Sequence, residues 1–201
     1  YGVYHSIYDN FRWMETYGDP GFIYHVAAAR FYGTLAMRLA AADVIPMRYG
    51  SYARALRAEL DELRRDVVRK RRSPSSDGGQ SLPNTDFGAV LAGLDALEAA
   101  GERFDRAVDA VVARADDDAA QRLNEALLPL ERALLSDDGL PGRPWFRNLV
   151  YAPGLTTGYA PWPFPELRQA VEEGDAALFE RGAARVESAL RAMSSRLGSA
   201  A

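Results

Sequence analysis

Apolar residues recur at helical spacing along most of the chain, and segments rich in Pro, Gly and Ser interrupt this period. The pattern predicts a first helix over residues 22–44, which ends before Pro46. Small and apolar side chains occupy several of its faces, so we expect other parts of the protein to cover it on several sides. A second helix is predicted over residues 51–72, with Ser51 as its N-cap. We expect its buried stripe to consist of Tyr52, Leu56, Leu60, Leu63 and Val67.

The same spacing predicts three further helices, over residues 86–115, 119–135 and 175–196. Thr85 or Asp86 is expected to cap the first of these, and the aspartates at 116–118 are expected to cap the second. Because Pro129 has no amide hydrogen, it should bend or break the helix around it.

Two segments show no helical period. Residues 73–84 are rich in Ser, Gly and Pro, which predicts a surface loop. Residues 136–166 combine Pro and Gly with many aromatic side chains, and such a segment is too apolar for a disordered linker. The predicted fold class is therefore all-α: a bundle of about four long helices with one long, ordered loop rich in Pro and aromatic residues.

Composition removes several classes of function. The 201 residues include no cysteine, which excludes disulfides, cysteine-based zinc sites and a thiol nucleophile. A net charge of −4 argues against a nucleic acid or an anionic membrane as partner. The basic stretch at residues 64–72 is interpreted as solvated cations at a helix C-terminus rather than an anion-binding patch. The sequence has no charge-free stretch of about 20 residues, which a transmembrane helix would need. No membrane contact is therefore expected.

Few side chains could carry chemistry, and the two histidines are His5 and His25. His25 lies within the first predicted helix, one position before Val26 in an apolar run, and a structural role is expected for it. His5 precedes Asp9 by four residues, but this spacing supports metal ligation only weakly, because zinc needs three or four protein ligands. A triad of Ser6, His5 and Asp9 is not expected, because adjacent residues cannot present a nucleophile to its base across a site. Taken one by one, the residues hold no complete active site.

Three segments, in this order and spacing, resemble the C-terminal part of the glutamate carboxypeptidase family: YHSIYDNFRWMETYGDPGFIYH, LNEALLPLERALLSDDGLPGRPWFRNLVYAP and GYAPWPFPEL. Members of this family are dizinc peptidases, also called folate hydrolases or N-acetylated alpha-linked acidic dipeptidases. Their C-terminal region is a transferrin-receptor-like dimerisation domain. The resemblance covers essentially the whole chain, although residues 64–84 match only in length and texture.

The resemblance implies roles for two neighbouring residues. His5 matches a histidine that binds one of two zinc ions, and Tyr4 matches a tyrosine whose hydroxyl supports the tetrahedral intermediate. This chemistry is coherent, because imidazole nitrogen suits zinc and a phenol beside the metal can stabilise a developing oxyanion. The family's remaining ligands and catalytic glutamate lie upstream. Two zinc ions are therefore expected in a longer parent protein, and none in this chain alone.

The family also places its helical domain over the substrate pocket, where a lysine–tyrosine pair binds the carboxylates of a C-terminal glutamate. Tyr159 matches that tyrosine, and Gly158 stands at the lysine position. The phenol is kept and the cation is absent, so a broader preference for the C-terminal residue is expected unless an upstream arginine substitutes. The alternative interpretation makes Tyr159 a packed aromatic residue in a rigid loop.

These observations lead to one preferred hypothesis. Residues 1–20 end a peptidase domain, and residues 21–201 form the dimerisation and pocket-capping domain of a secreted or periplasmic zinc carboxypeptidase. The expected partners are a second copy of the chain, the upstream peptidase domain and a peptide substrate. The alternative is a non-catalytic binding module of the transferrin receptor type, a branch that lacks the zinc-binding histidine, so His5 disfavours it. A third hypothesis is a free-standing helical interaction protein. The start of the sequence within a family segment and the presence of His5 disfavour it. The start at Tyr1, without Met, fits a part of a longer protein.

Overall fold

The computed structural model describes residues 2–72, 85–155 and 159–200, and this part of the chain is mainly helical. The predicted loop at residues 73–84 lies outside the described residues. In chain order the α-helices are α1 (Phe11–Trp13), α2 (Ile23–Ala40), α3 (Tyr49–Arg72), α4 (Gly88–Arg114), α5 (Asp117–Leu127), α6 (Pro165–Glu173) and α7 (Ala176–Ala200). Two short strands, β1 (Tyr151–Pro153) and β2 (Pro161–Pro163), complete the pattern with a π-helical turn at Met14–Gly18 and 3-10 turns at Pro20–Phe22 and Leu130–Leu134.

Contacts within the chain divide it into two compact units, Tyr1–Pro46 and Met47–Ala201. The sequence analysis places the end of the peptidase part at residue 20, so the two divisions differ over residues 21–46. The assignment of these residues to one domain or the other of a longer protein stays a prediction.

The core of the second unit forms where α4 packs between α3 and α7. The apolar stripe predicted for α3 is confirmed, because Leu56, Leu60, Leu63 and Val67 are buried. The side chains that α4 and α7 bury follow the helical period as well. They include Val90, Leu94, Leu97, Phe104 and Val108 of α4 and Val186, Leu190, Met193 and Leu197 of α7. Each such leucine contributes about 1.5–3 kcal/mol by its removal from water.

The start of α3 is capped by a side chain that is distant in sequence. Asp105 of α4 accepts hydrogen bonds from the amides of Tyr49 at 3.0 Å and Gly50 at 3.2 Å. Ser51 lies inside the helix, so its prediction as the N-cap is wrong. The reason is tertiary, since the α4 carboxylate satisfies amides that a local cap would otherwise serve.

Helices α3 and α4 come into close contact at Gly101. A Cβ at this position would lie 2.5 Å from the amide nitrogen of Gly50 and 2.5 Å from the carbonyl carbon of Tyr49. Only a residue without a side chain allows this approach, which brings Asp105 within reach of the start of α3.

The helix predicted over residues 119–135 is broken at Pro129, as expected. Helix α5 ends at Leu127, and the 3-10 turn Leu130–Leu134 follows Pro129. At the other end, Asp116 caps α5 by accepting a hydrogen bond from the amide of Ala119 at 2.9 Å. The predictions for the break and for the acidic cap are therefore confirmed.

The fold is mostly helical but not strictly all-α, because the segment at 136–166 contains a two-stranded antiparallel sheet. The sequence analysis predicts no strands there. Three of the six paired residues are prolines, which removes the usual sequence signal of a strand. The estimate of four long helices is also too simple, since the described part of the chain has seven α-helices of 3 to 27 residues.

A buried ion pair joins the long loop to the bundle in the second unit. Glu166, 2% exposed, accepts a hydrogen bond from Arg185 of α7 at 2.8 Å. The same guanidinium donates to the hydroxyl of Ser136 and, at 2.8 Å, to the carbonyl oxygen of Gly139. One arginine therefore connects α6, α7 and the start of the loop. Burial raises the pKa of Glu166, and the positive charges of Arg185 and Arg181 offset this effect only in part.

The raised pKa of Glu166 predicts a direction for the pH dependence of stability. A carboxyl group whose folded-state pKa lies above its unfolded value stabilises the fold most below the unfolded pKa of 4.5. This stabilisation is lost as pH rises through the folded pKa. The free energy of unfolding of the unsubstituted chain, relative to Glu166→Gln, should therefore fall as pH rises above about 4.

Urea unfolding at a series of pH values measures this difference, and Glu180→Gln serves as a reference for an exposed glutamate of α7. A difference that grows with pH would contradict the prediction.

In the first unit, Asp19 fixes the start of α2. Its carboxylate accepts hydrogen bonds from the amides of Tyr24 at 3.1 Å and His25 at 2.9 Å, and it lies 2.5 Å from His25 Nδ1. Burial opposes the charge on Asp19, but the hydrogen bonds from His25 and Tyr24 outweigh it and lower the pKa of Asp19. His25 therefore serves the start of the helix, as the sequence analysis predicts.

Helix α2 buries none of its residues within this chain, although the sequence analysis expects it to be covered on several sides. Its large apolar side chains are exposed, among them Ile23, Tyr24, Phe31, Tyr32 and Met37. Across the described residues, no helix has the length and apolar character needed to cross a bilayer.

Candidate functional site

Tyr4 and His5 lie in a turn of the first unit that Ser6 closes. The hydroxyl of Ser6 donates to the carbonyl oxygen of Val3 at 2.7 Å, and the Ser6 amide donates to the same oxygen at 3.0 Å. The Tyr4 and His5 rings meet edge to face, with centroids 4.1 Å apart. Both side chains are exposed. The two residues that the resemblance assigns to catalysis and metal binding are thus adjacent in space.

His5 has a backbone conformation that few residues with a Cβ adopt. Its φ angle of 63° lies in the left-handed region. Such a conformation costs on the order of 1–3 kcal/mol, and residues held this way cluster at binding and catalytic sites. Phe22, Ala115 and Phe164 share this left-handed conformation, so the backbone of His5 by itself assigns no role to the residue.

A complete metal site is not formed by the described residues. Within residues 2–72, 85–155 and 159–200, no group of three or more His, Asp or Glu residues could hold a metal ion. His5 offers one exposed imidazole, whereas a zinc site needs three or four protein ligands. The described residues therefore fit one ligand of a zinc site and not the whole site.

Tyr159 belongs to a hairpin of the second unit. The amide of Gly154 donates to the carbonyl oxygen of Ala160 at 3.3 Å beyond the last strand pair, and Tyr159 directly precedes Ala160. The Tyr159 side chain is 91% exposed, which does not fit the alternative of a packed aromatic residue. Gly158 lies outside the described residues. The strand pairs below Tyr159 are Tyr151 with Pro163, Ala152 with Trp162 and Pro153 with Pro161.

Arg143 contacts the base of this hairpin. Its Nη1 donates to the carbonyl oxygen of Pro153 at 2.5 Å, and its guanidinium lies 5.5 Å from the centre of the Phe146 ring. Burial lowers the pKa of Arg143. The sequence analysis assigns Arg143 no role, although this residue lies in the GLPGRPWFRNLVYAP part of a segment that carries the resemblance. The 136–166 segment has no period that would relate Arg143 to Pro153.

The structure therefore resolves the predicted site residues into two groups. Tyr4 and His5 are in contact in the first unit, and Tyr159 lies in the second unit. The two groups share no compact unit, so a site that combines them stays a prediction.

Comparison with known proteins identifies the class of the chain. The model of the family described as the transferrin receptor-like dimerisation domain matches residues 85–198, which is more than half of the 201 residues. This range contains α4 to α6, the hairpin and all but the last two residues of α7. The chain belongs to the family of transferrin receptor-like dimerisation domains.

Three of its curated relatives are peptidases by name. The chain is 33% identical over 172 residues to "Probable glutamate carboxypeptidase LAMP1" of Arabidopsis thaliana, covering 86% of this chain and 23% of that protein. It is 31% identical over 173 residues to "Probable glutamate carboxypeptidase" of Arthroderma benhamiae, covering 86% and 22%. "Aminopeptidase NAALADL1" of Rattus norvegicus is 25% identical over 164 residues, covering 81% and 21%. The chain thus spans less than a quarter of the length of these relatives.

Proposed function

We propose that this chain is the dimerisation and pocket-capping part of a zinc-dependent carboxypeptidase similar to glutamate carboxypeptidase. The match of residues 85–198 to the dimerisation family carries the proposal, together with relatives that are named as glutamate carboxypeptidases. The exposed Tyr159 on its hairpin supports the capping role, because an exposed phenol can reach a ligand outside the unit.

The dimer part of the proposal is tested by the size of the chain in solution. An obligate symmetric contact between copies should bury more than about 2,000 Å² in total. The apolar stripe of α4 cannot form this contact, because α3 and α7 already cover it. Sedimentation equilibrium at tens of micromolar should show a dimer, and a monomer at that concentration would contradict self-association of the chain on its own.

We propose that His5 is one ligand of a zinc site whose other ligands come from an upstream peptidase part, and that Tyr4 stabilises the developing oxyanion beside it. When bound, zinc would supply Lewis-acid chemistry to that site. The exposed imidazole of His5 and its contact with the Tyr4 ring support this assignment. The alternative is a non-catalytic receptor-like binding module, and His5 is the feature that disfavours it.

The zinc proposal predicts weak metal binding by the isolated chain. Because one histidine cannot complete a zinc site, calorimetry of these 201 residues should show no stoichiometric sub-micromolar zinc binding. His5→Ala should leave the isolated chain unchanged in this measurement. Tight stoichiometric binding that His5→Ala abolishes would show a complete site within the chain and contradict the prediction.

A further inference from the structure

The hairpin that presents Tyr159 has few hydrogen bonds of its own. Pro153, Pro161 and Pro163 have no amide hydrogen, so they donate nothing to the pairing of β1 and β2. The amide of Tyr151 donates instead to the Asn148 side chain at 2.9 Å. Only Ala152 and Trp162 remain as donors among the six paired residues. The amides of Gly154 and Phe164 flank the paired residues and donate to Ala160 at 3.3 Å and to Val150 at 2.8 Å. Arg168 donates to Pro163 of β2 at 3.0 Å. Contacts at the ends of the strands, some of them from outside the ladder, therefore help to fix the hairpin.

Arg143 makes such a contact. It lies in a turn that is closed by backbone hydrogen bonds from Leu140 to Phe146 at 2.8 Å and from Phe146 to Arg143 at 3.0 Å. From this turn its Nη1 donates to Pro153, the last residue of β1. The next residue, Gly154, bonds to Ala160, which follows Tyr159. A short series of contacts therefore connects the guanidinium to the backbone of Tyr159.

The hydrogen bonding of Arg143 is incomplete. Its Nε and Nη2 are buried and have no hydrogen-bond partner among residues 2–72, 85–155 and 159–200. Burial of a charged group with unpaired donors opposes folding, and a single hydrogen bond with one ring contact compensates for it only in part. An arginine in this setting is better explained by a demand on geometry.

We propose that Arg143 is a positioning residue, which holds the Pro153 end of the hairpin so that Tyr159 can meet a substrate carboxylate. This inference rests on the proposed function of Tyr159. A phenol contact to a carboxylate is made both in the bound substrate and in the transition state, so a displaced Tyr159 should raise KM more than it lowers kcat.

The test is a double-mutant cycle in the longer peptidase that contains this chain, with peptides that end in a free carboxylate as substrates. Arg143→Met keeps an unbranched side chain over Phe146 and removes the charge and all donors. It should raise KM by about as much as Tyr159→Phe lowers kcat/KM, roughly 10- to 150-fold, with little change in kcat. In the Arg143→Met background, Tyr159→Phe should add less than about a two-fold further loss, because the displaced phenol has already lost its contact. Arg143→Lys, which keeps a donor, should recover most of the loss.

Two further measurements separate positioning from stability. The melting temperature of Arg143→Met should equal or exceed that of the unsubstituted protein, whereas a structural role would lower it. Arg147→Ala is the matched control, since Arg147 donates at 2.8 Å to Ser136 and pairs with Asp137 without contacting the hairpin. It should leave KM unchanged.

The outcomes distinguish this inference from the proposed function. If Tyr159→Phe lowers kcat/KM while Arg143→Met leaves KM unchanged, the positioning role of Arg143 is overturned and the substrate role of Tyr159 stands. The positioning role is also overturned if the losses in kcat/KM of the two single variants multiply in the double variant. It is overturned as well if the melting temperature of Arg143→Met falls in parallel with its activity. If Tyr159→Phe alone has no effect, the substrate role of Tyr159 fails, and the inference fails with it.

Discussion

Tyr159→Phe should lower kcat/KM by roughly 10- to 150-fold in the longer peptidase that contains this chain. A hydrogen bond from a phenol to a carboxylate is charge-assisted and contributes about 1.5–3 kcal/mol. The substitution removes only the hydroxyl, and the 91% exposed ring has no packing to lose. Steady-state kinetics with peptides that differ only in their C-terminal residue provide the measurement.

The pattern across substrates identifies the carboxylate. A similar loss for every C-terminal residue would indicate contact with the α-carboxylate, and a loss confined to acidic residues would indicate contact with a side chain. Tyr151→Phe in the same hairpin is the control and should change kcat/KM little. Gly158→Lys should raise the preference for C-terminal glutamate over alanine, because it restores a cation. Unchanged kinetics in Tyr159→Phe at normal zinc content would remove Tyr159 from the site.

Gly101→Ala should destabilise the second unit by about 1–3 kcal/mol. The added Cβ would lie 2.5 Å from backbone atoms of Tyr49 and Gly50, and these atoms cannot rotate away as a side chain can. Helices α3 and α4 must move apart, which also lengthens the hydrogen bonds that the amides of Tyr49 and Gly50 donate to Asp105. The gain of up to about 1 kcal/mol in helix propensity offsets only part of this cost.

Thermal unfolding measures the effect, with an expected fall in melting temperature of roughly 2–4 °C for each kcal/mol. Gly198→Ala in α7 is the matched control, because nothing lies within 4 Å of its added Cβ. The control should keep or raise the melting temperature. Equal melting temperatures for the two variants would show that the α3–α4 contact tolerates a methyl group.

The helices were predictable because their signals are local. The apolar period sets the buried stripes of α3, α4 and α7, and the burial of Leu60, Phe104 and Leu190 agrees with it. The break at Pro129 and the cap at Asp116 also depend on the chemistry of one residue and its immediate neighbours. The family resemblance likewise depends on contiguous segments, and the match to the dimerisation family confirms it.

The cap of α3 and the hairpin were not predictable, because the contacts that form them join residues that are not neighbours in the sequence. Asp105 reaches Tyr49 across 56 positions of the sequence, so the local choice of Ser51 as the cap failed. Strands β1 and β2 contain Pro153, Pro161 and Pro163, residues that ordinarily argue against a strand. Their pairing depends on contacts with the surrounding loop, which no periodicity reveals.

The sequence by itself determined the helical class, the family and the candidate residues Tyr4, His5, Gly158 and Tyr159, because spacing and motif are written in neighbouring positions. Tertiary structure alone decided how these parts are held. It placed Asp105 at the start of α3, joined Arg185 to Glu166 and brought Arg143 to Pro153. Each of these is a polar contact between two segments that share no periodic pattern. The two partners come within hydrogen-bond distance because folding brings their backbones together, which the order of the residues does not reveal.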